Sequence, residues 1–288
     1  MDYFFAATLE VVSGIASLML ISIGLAIVFG MMRVINLAHG EFLMLGAYST
    51  ITAVKFGFNV WIAILVVAPA VVGVIGLIVE RLIIRHLYGR IIATMLATWG
   101  LSLLIIGLAT TIFGNTTAGI SSPLGSVEIG SVNVNGYNFF IIAVAAATFA
   151  LIYFVFKRTS FGLLARATMQ SPEMASAMGI NPKRIYALTF AIGAALGGLA
   201  GGVLAPISAV VPTVGTAYVA KAFLTVIAGG ASVLVGTLSA SVIFGTANLV
   251  ASFLWTPVIG EVTLLCAALV IVRLLPQGIT GHYFRGSV

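Results

Sequence analysis

Charge is what this sequence has least of. Thirteen Lys and Arg and seven Asp and Glu amount to 7% of 288 residues, while 61% are hydrophobic. Soluble domains carry about 25% charged residues, so this chain cannot cover a globular surface with water-compatible groups, and a soluble enzyme or binding module is excluded. Cysteine is nearly missing as well. Cys266 alone excludes an intramolecular disulfide and a cysteine metal cluster, and it reads as a packing residue of the last span. Of three histidines only His39 stands beside a carboxylate, Glu41, which falls short of the three or four protein ligands of zinc. His86 and His282 lie in basic flanks. No G-x4-G-K-[ST] string is present, so the chain has no P-loop of its own for ATP. The N-terminus, Met1-Asp2-Tyr3, has no basic n-region, which predicts a retained first span and not a cleaved signal.

What is there is apolar length. A helical span takes about 20 residues, and apolar stretches run over 11–30, 37–54, 60–79, 92–112, 138–156, 186–205, 217–231, 233–253 and 257–275. The expectation is an all-α, polytopic transmembrane helical bundle of eight to ten spans, with residues 1–288 forming one transmembrane domain in contact with membrane lipid. The stretches 217–231, short and preceded by Pro206, Pro212 and Gly215, and 37–54, which starts at a polar cluster, are candidates for broken or re-entrant segments. The net charge of +6 is a topology signal and not a nucleic-acid footprint, because the basic residues form small clusters and no stripe. Arg81, Arg85 and Arg90, the region 157–185, and the tail with Arg273 and Arg285 all fit in the cytoplasm. Residues 114–138 then fall outside; Glu128 is their sole charge, and the alternation around 127–135 predicts a small hairpin. Gly193, Gly197 and Gly201, with Gly198 and Gly202 on the next stripe, predict close helix packing.

Three groups carry candidate chemistry. Between Arg33 and Glu41 lie Asn36, His39 and Glu41. An ionisable group at membrane depth costs about 2.5–3.5 kcal/mol on insertion scales, so this cluster reads either as a cytoplasmic turn or as a pathway lining in which Gly40 bends His39 and Glu41 onto one cavity. Thr94, Thr98 and Ser102 share one helix face by their spacing of four, with Trp99 beside them. That face either offers hydrogen bonds to a small polar solute or binds helices together. The third group is a polar island holding Lys157, Arg158, Arg166, Glu173, Lys183 and Arg184. Ser171-Pro172-Glu173 has the form of an N-cap followed by proline at the first helical position. A short helix over 172–179, stopped by Gly179, is predicted beneath the membrane, with Lys183 and Arg184 anchoring the next span. It reads as a docking handle for a soluble partner, or else as a solvated interfacial helix.

Glu173-x-Ala175-x3-Gly179 resembles the signature loop with which bacterial ABC importer permeases dock into an ATP-binding subunit. The strings Phe161-Gly162-Leu163-Leu164-Ala165-Arg166-Ala167, Met178-Gly179-Ile180-Asn181 and the run from Gly24 through Glu41 are similar to the branched-chain amino acid permease family. Gly229-Gly230 and Pro276-Gln277-Gly278 carry the likeness to the far end of the chain. Within the family, Leu87-Tyr88-Gly89-Arg90 and the run from Leu96 to Ser102 look most like urea-type permeases. The resemblance implies an inner (plasma) membrane subunit of a bacterium beside a second homologous permease, two cytoplasmic ATP-binding subunits carrying ATP and magnesium, and an extracytoplasmic solute-binding protein. It implies alternating access coupled through Glu173, Ala175, Gly179, Lys183 and Arg184, with Asn36, His39, Glu41, Thr94, Thr98, Trp99 and Ser102 along the substrate route. Urea is favoured as solute because few buried charges are visible, and a zwitterion needs charge complements or helix termini. The alternatives are a branched-chain amino acid importer permease and a stand-alone channel for a small neutral solute. An intramembrane enzyme lacks a catalytic set.

Overall fold

The computed structural model describes residues 2–130, 132–230 and 232–281; His282 and Arg285 lie outside them. The helices are α1 (Asp2–Met32), α2 (His39–Lys55), α3 (Val60–Ile62), α4 (Ala68–Leu82), α5 (Ile91–Phe113), α6 (Tyr137–Arg158), α7 (Ser160–Gln170), α8 (Pro172–Ala177), α9 (Pro182–Leu204), α10 (Val214–Gly229), α11 (Val233–Leu254) and α12 (Pro257–Leu274). A π-helical turn, Ala63–Val67, joins α3 to α4 in one continuous rod. Among the described residues seven helical segments are long and apolar enough to cross a membrane, fewer than the eight to ten spans expected. With the shorter α2 and α10 packed among them they make an all-α polytopic bundle. The expected hairpin is present: β1 (Ser126–Ile129) pairs antiparallel with β2 (Val132–Asn135).

α9 is the central post, and glycine lets its neighbours approach. Gly193 faces Gly24 and Val28 of α1, Gly198 faces Gly46 of α2 and Val72 of α4, and Gly201 meets the Leu43 backbone. Small residues let helix backbones come close where lipid supplies no hydrophobic drive. α1 runs antiparallel to α9, since Gly24 meets Gly193 while Met31 clusters with Ile185. These contacts sort the bundle into two ends. α4, α6 and α12 finish, and α5, α9 and α11 begin, at a basic end that gathers Arg81, Arg85, Arg90, Lys157, Arg158, Lys183, Arg184 and Arg273. The β hairpin lies at the other end.

Two segments do not cross. α1 stops at Met32, and Arg33 takes the left-handed region (φ 52) where a glycine is usual. The irregular stretch 33–38 then turns back into the bundle. His39, the first residue of α2, reaches the Ile21 carbonyl, roughly 16 Å back along α1 at 1.5 Å per residue. Near the other end, α9 finishes at Leu204 and residues 205–213 turn inward; Val210 exchanges two 2.9 Å backbone hydrogen bonds with Ala118. α10 then starts inside the bundle with Gly215 against Gly40. The break near 37–54 therefore falls before the helix, and α2 itself is unbroken. The two half-helices begin head to head and leave toward opposite ends.

The element order long helix, irregular segment, half-helix, long helix, long helix thus occurs twice in opposite directions: α1 to α5 and α9 to α12. The packing repeats too, with α4 against α9 as α11 lies against α1. Residue identities repeat poorly. Gly40 matches Gly215, but Glu41 falls opposite Thr216 and Gly46 opposite Lys221. For that reason no direct repeat is visible in the sequence.

Candidate functional site

The first two residue groups of the sequence meet at one place. Asn36 Oδ1 accepts from the Ala38 N–H at 3.1 Å, closing a turn that feeds α2. From α5, Thr98 Oγ1 accepts from the Leu37 N–H at 3.1 Å and donates to the Ile35 carbonyl at 3.2 Å. One turn further on, Ser102 donates to Glu41 Oε1 at 2.8 Å. A chain that leaves helical geometry inside the membrane strands backbone groups, and neighbouring hydroxyls restore their hydrogen bonds. Thr98 and Ser102 do this for 33–41. Thr94 bonds the Leu87 and Arg90 carbonyls at the basic end and does not reach the crossing. Trp99 is 55% exposed on the outer face of α5, away from the hydroxyls it was grouped with.

His39 and Glu41 do not share a cavity. Gly40 introduces no bend, because α2 is regular from His39 onward. The imidazole points to α1 and α9, where Nε2 donates to the Ile21 carbonyl at 3.0 Å. The carboxylate points to α5 and α10. Its Oε2 is buried without a hydrogen-bond partner and stands against Gly215 in the first turn of α10. Gly40 serves close approach: a Cβ there would run into the Gly215 carbonyl. The crossing is a backbone-to-backbone contact with one carboxylate beside the positive end of a half-helix.

The island folds as two short helices packed on the basic end of the bundle. Thr159 Oγ1 caps α7 through the Gly162 N–H, and Ser171 Oγ caps α8 through the Met174 N–H at 3.2 Å. Proline at the first position and Glu173 in the first turn complete the start of α8. α8 ends at Ala177, two residues short of the predicted 179, and Gly179 (φ 83) makes the stop. Ala175 is buried against the bundle, so it is the foot of α8 and not part of its outer face. That face carries Glu173 with Met174 at 63% and Met178 at 77% exposure. Lys183 and Arg184 are exposed at the start of α9.

Sequence reading missed two charged sites. Glu80, fully buried on α4, accepts a hydrogen bond from Tyr88 in the following loop, and burial first, then this carboxylate, raises the phenol above its ordinary range. Lys221 on α10 and Glu261 on α12 form an ion pair at 2.6 Å. Lys221 is the only charge of α10 and Glu261 shares α12 with Arg273 alone, and 40 residues separate the two, so only the packing of α10 against α12 reveals the pair.

Comparison with known proteins gives a consistent result. Residues 7–275 match the family described as "Branched-chain amino acid transport system / permease component". The Escherichia coli "High-affinity branched-chain amino acid transport system permease protein LivH" is 29% identical over 281 residues, covering 91% of each chain. The probable LivH of Methanocaldococcus jannaschii is 28% identical over 92% of this chain and 88% of its own. BraD of Pseudomonas aeruginosa, named as a high-affinity branched-chain amino acid permease protein, is 26% identical over 91% of each. In fold, the chain resembles PsaBC from Streptococcus pneumoniae, solved with a Fab, at a TM-score of 0.52 and 16% identity, covering 96% of this chain and 93% of that one. The matched span takes in α1 through α12, the half-helices and the island together: this chain is a multi-pass inner-membrane protein and belongs to the branched-chain amino acid transport system permease family.

Proposed function

We propose that this chain is the permease subunit of an ATP-driven importer for branched-chain amino acids. The observation that carries the reading is the family match across residues 7–275, with relatives whose names specify branched-chain amino acid permeases. Those names support amino acids over urea, the solute favoured from sequence alone. The basic end faces the cytoplasm in this reading, following the rule that Lys and Arg accumulate there, and 114–138 faces outward toward a solute-binding protein. α8 is the contact for one of two ATP-binding subunits, and a second homologous permease completes the membrane part. Methionine adapts to an irregular partner surface, so Met174 and Met178 supply apolar contact while Glu173 supplies charge. ATP and magnesium act on the partner subunits. Their closure moves α8, and the head-to-head crossing of α2 and α10 is the place where the route is sealed.

The test is reconstitution of the complete importer in liposomes. Leucine uptake is expected to require ATP, and Glu173→Arg is expected to abolish it and to weaken co-purification of the ATP-binding subunits. ATP-independent flux through the chain alone would return the channel reading. Uptake of urea without leucine would return the urea reading.

A further inference from the structure

The Lys221–Glu261 pair is misplaced for a protein that only faces lipid. Its cavity, about 140 Å³, is lined by Ser17, Leu18 and Ile21 of α1, Asn248 of α11, and the pair itself. Ile21 is the residue whose carbonyl receives His39, so the cavity reaches the depth at which α2 begins. The two side chains are nevertheless 28% and 48% exposed on the bundle surface. Charged side chains at membrane depth face a bundle interior, a partner or a water-filled cavity. A route or a neighbouring subunit on this face of α1, α10 and α12 would meet that requirement. The other half of the molecule has Gly46 where α10 has Lys221, and Gly46 is packed against Gly198. Lys221 therefore has no charged counterpart at the matched position of the other half.

We propose that this cavity is a subsite for the head group of a zwitterionic α-amino acid, with Lys221 taking the carboxylate and Glu261 the ammonium. The inference rests on the amino-acid reading above and deepens it. Its size suits a head group and a few waters, given that a water occupies about 30 Å³ of liquid. Val258, three residues before Glu261 on the same side of α12 and 72% exposed, offers apolar surface to an aliphatic side chain. Without solute the two charges neutralise one another at 2.6 Å; a zwitterion replaces one pair by two while net charge stays unchanged. A neutral solute such as urea gains nothing from separating them.

The experiment is leucine uptake by the complete importer in proteoliposomes, with assembly followed by co-elution of all subunits. The apolar pair Lys221→Met with Glu261→Leu keeps volume, and such replacements commonly leave stability intact. It is expected to lose uptake by at least about tenfold, as when a desolvated charge contact is removed. The swapped pair Lys221→Glu with Glu261→Lys restores a tether between α10 and α12 but inverts the subsite, and uptake is expected to stay lost. Recovery by the swap, or apolar-pair uptake within about twofold of wild type, would assign the pair a structural role and overturn the proposal. Should the apolar pair not assemble, Glu261→Gln, which keeps the shape, decides by the same tenfold loss or its absence. A wild-type importer that takes up no leucine would instead overturn the functional reading beneath it.

Discussion

The crossing and the island are built on opposite principles. At the crossing, side chains are removed so that backbones touch: Gly40 lies on Gly215, and Thr98 and Ser102 serve backbone groups and a carboxylate already inside. At the island, side chains are added to a surface that touches nothing: Glu173, Met174 and Met178 are exposed, and a Cβ on Gly179 would meet no atom within 4 Å. The crossing is finished within this chain, whereas the island leaves a face exposed, the face proposed above for a partner. Stability and coupling should therefore separate by region.

Graded substitutions test that separation. Gly40→Val should be the most damaging, because its side chain meets the Gly215 backbone and overpacking by a rigid neighbour exceeds the usual 1–3 kcal/mol. Folded protein after detergent extraction should be nearly absent, and a normal yield would break the comparison. Ser102→Ala comes next. It leaves both Glu41 oxygens without a partner and should lower stability by about 1–3 kcal/mol in thermal melting. Gly179→Ala has open space but a left-handed backbone, and should cost about 1–2 kcal/mol while the crossing is untouched. Met174→Ser should change melting by less than about 0.5 kcal/mol and still reduce co-purification of ATP-binding subunits. If it destabilises the isolated chain instead, the island is packed and not presented.

The long helices were legible because apolar length alone marks them, and the stretches 92–112, 138–156 and 233–253 sit almost within α5, α6 and α11. The island was legible because caps are local: Ser171, Pro172 and Gly179 act within a few residues of themselves. The crossing was only half legible. Asn36 to Glu41 and Thr98 to Ser102 stood out as polar, but residues 61 positions apart bond each other, and spacing carries no sign of that. Trp99 was grouped with the hydroxyls by adjacency, although a helix turns a neighbour by about 100° and so points it elsewhere. Lys221 and Glu261 were passed over because each is an isolated charge in an apolar run. The urea preference rested on the few buried charges visible and on the likeness of Leu87-Tyr88-Gly89-Arg90 and the run from Leu96 to Ser102 to urea-type permeases.

One modest contact links the hairpin end to the crossing. Ala118 and Val210 exchange two backbone hydrogen bonds, and Val210 precedes the first residue of α10 by only four positions. Those four include Pro212, whose fixed φ shortens the list of shapes the strap can take. A tug on the loop after α5 is thus delivered to Gly215 with little slack, much as a short stiff cord moves a latch while a long loose one only uncoils. Lengthening 211–213 with glycines is expected to leave both ends of the bundle in place and to slacken the link from Ala118 to Gly215.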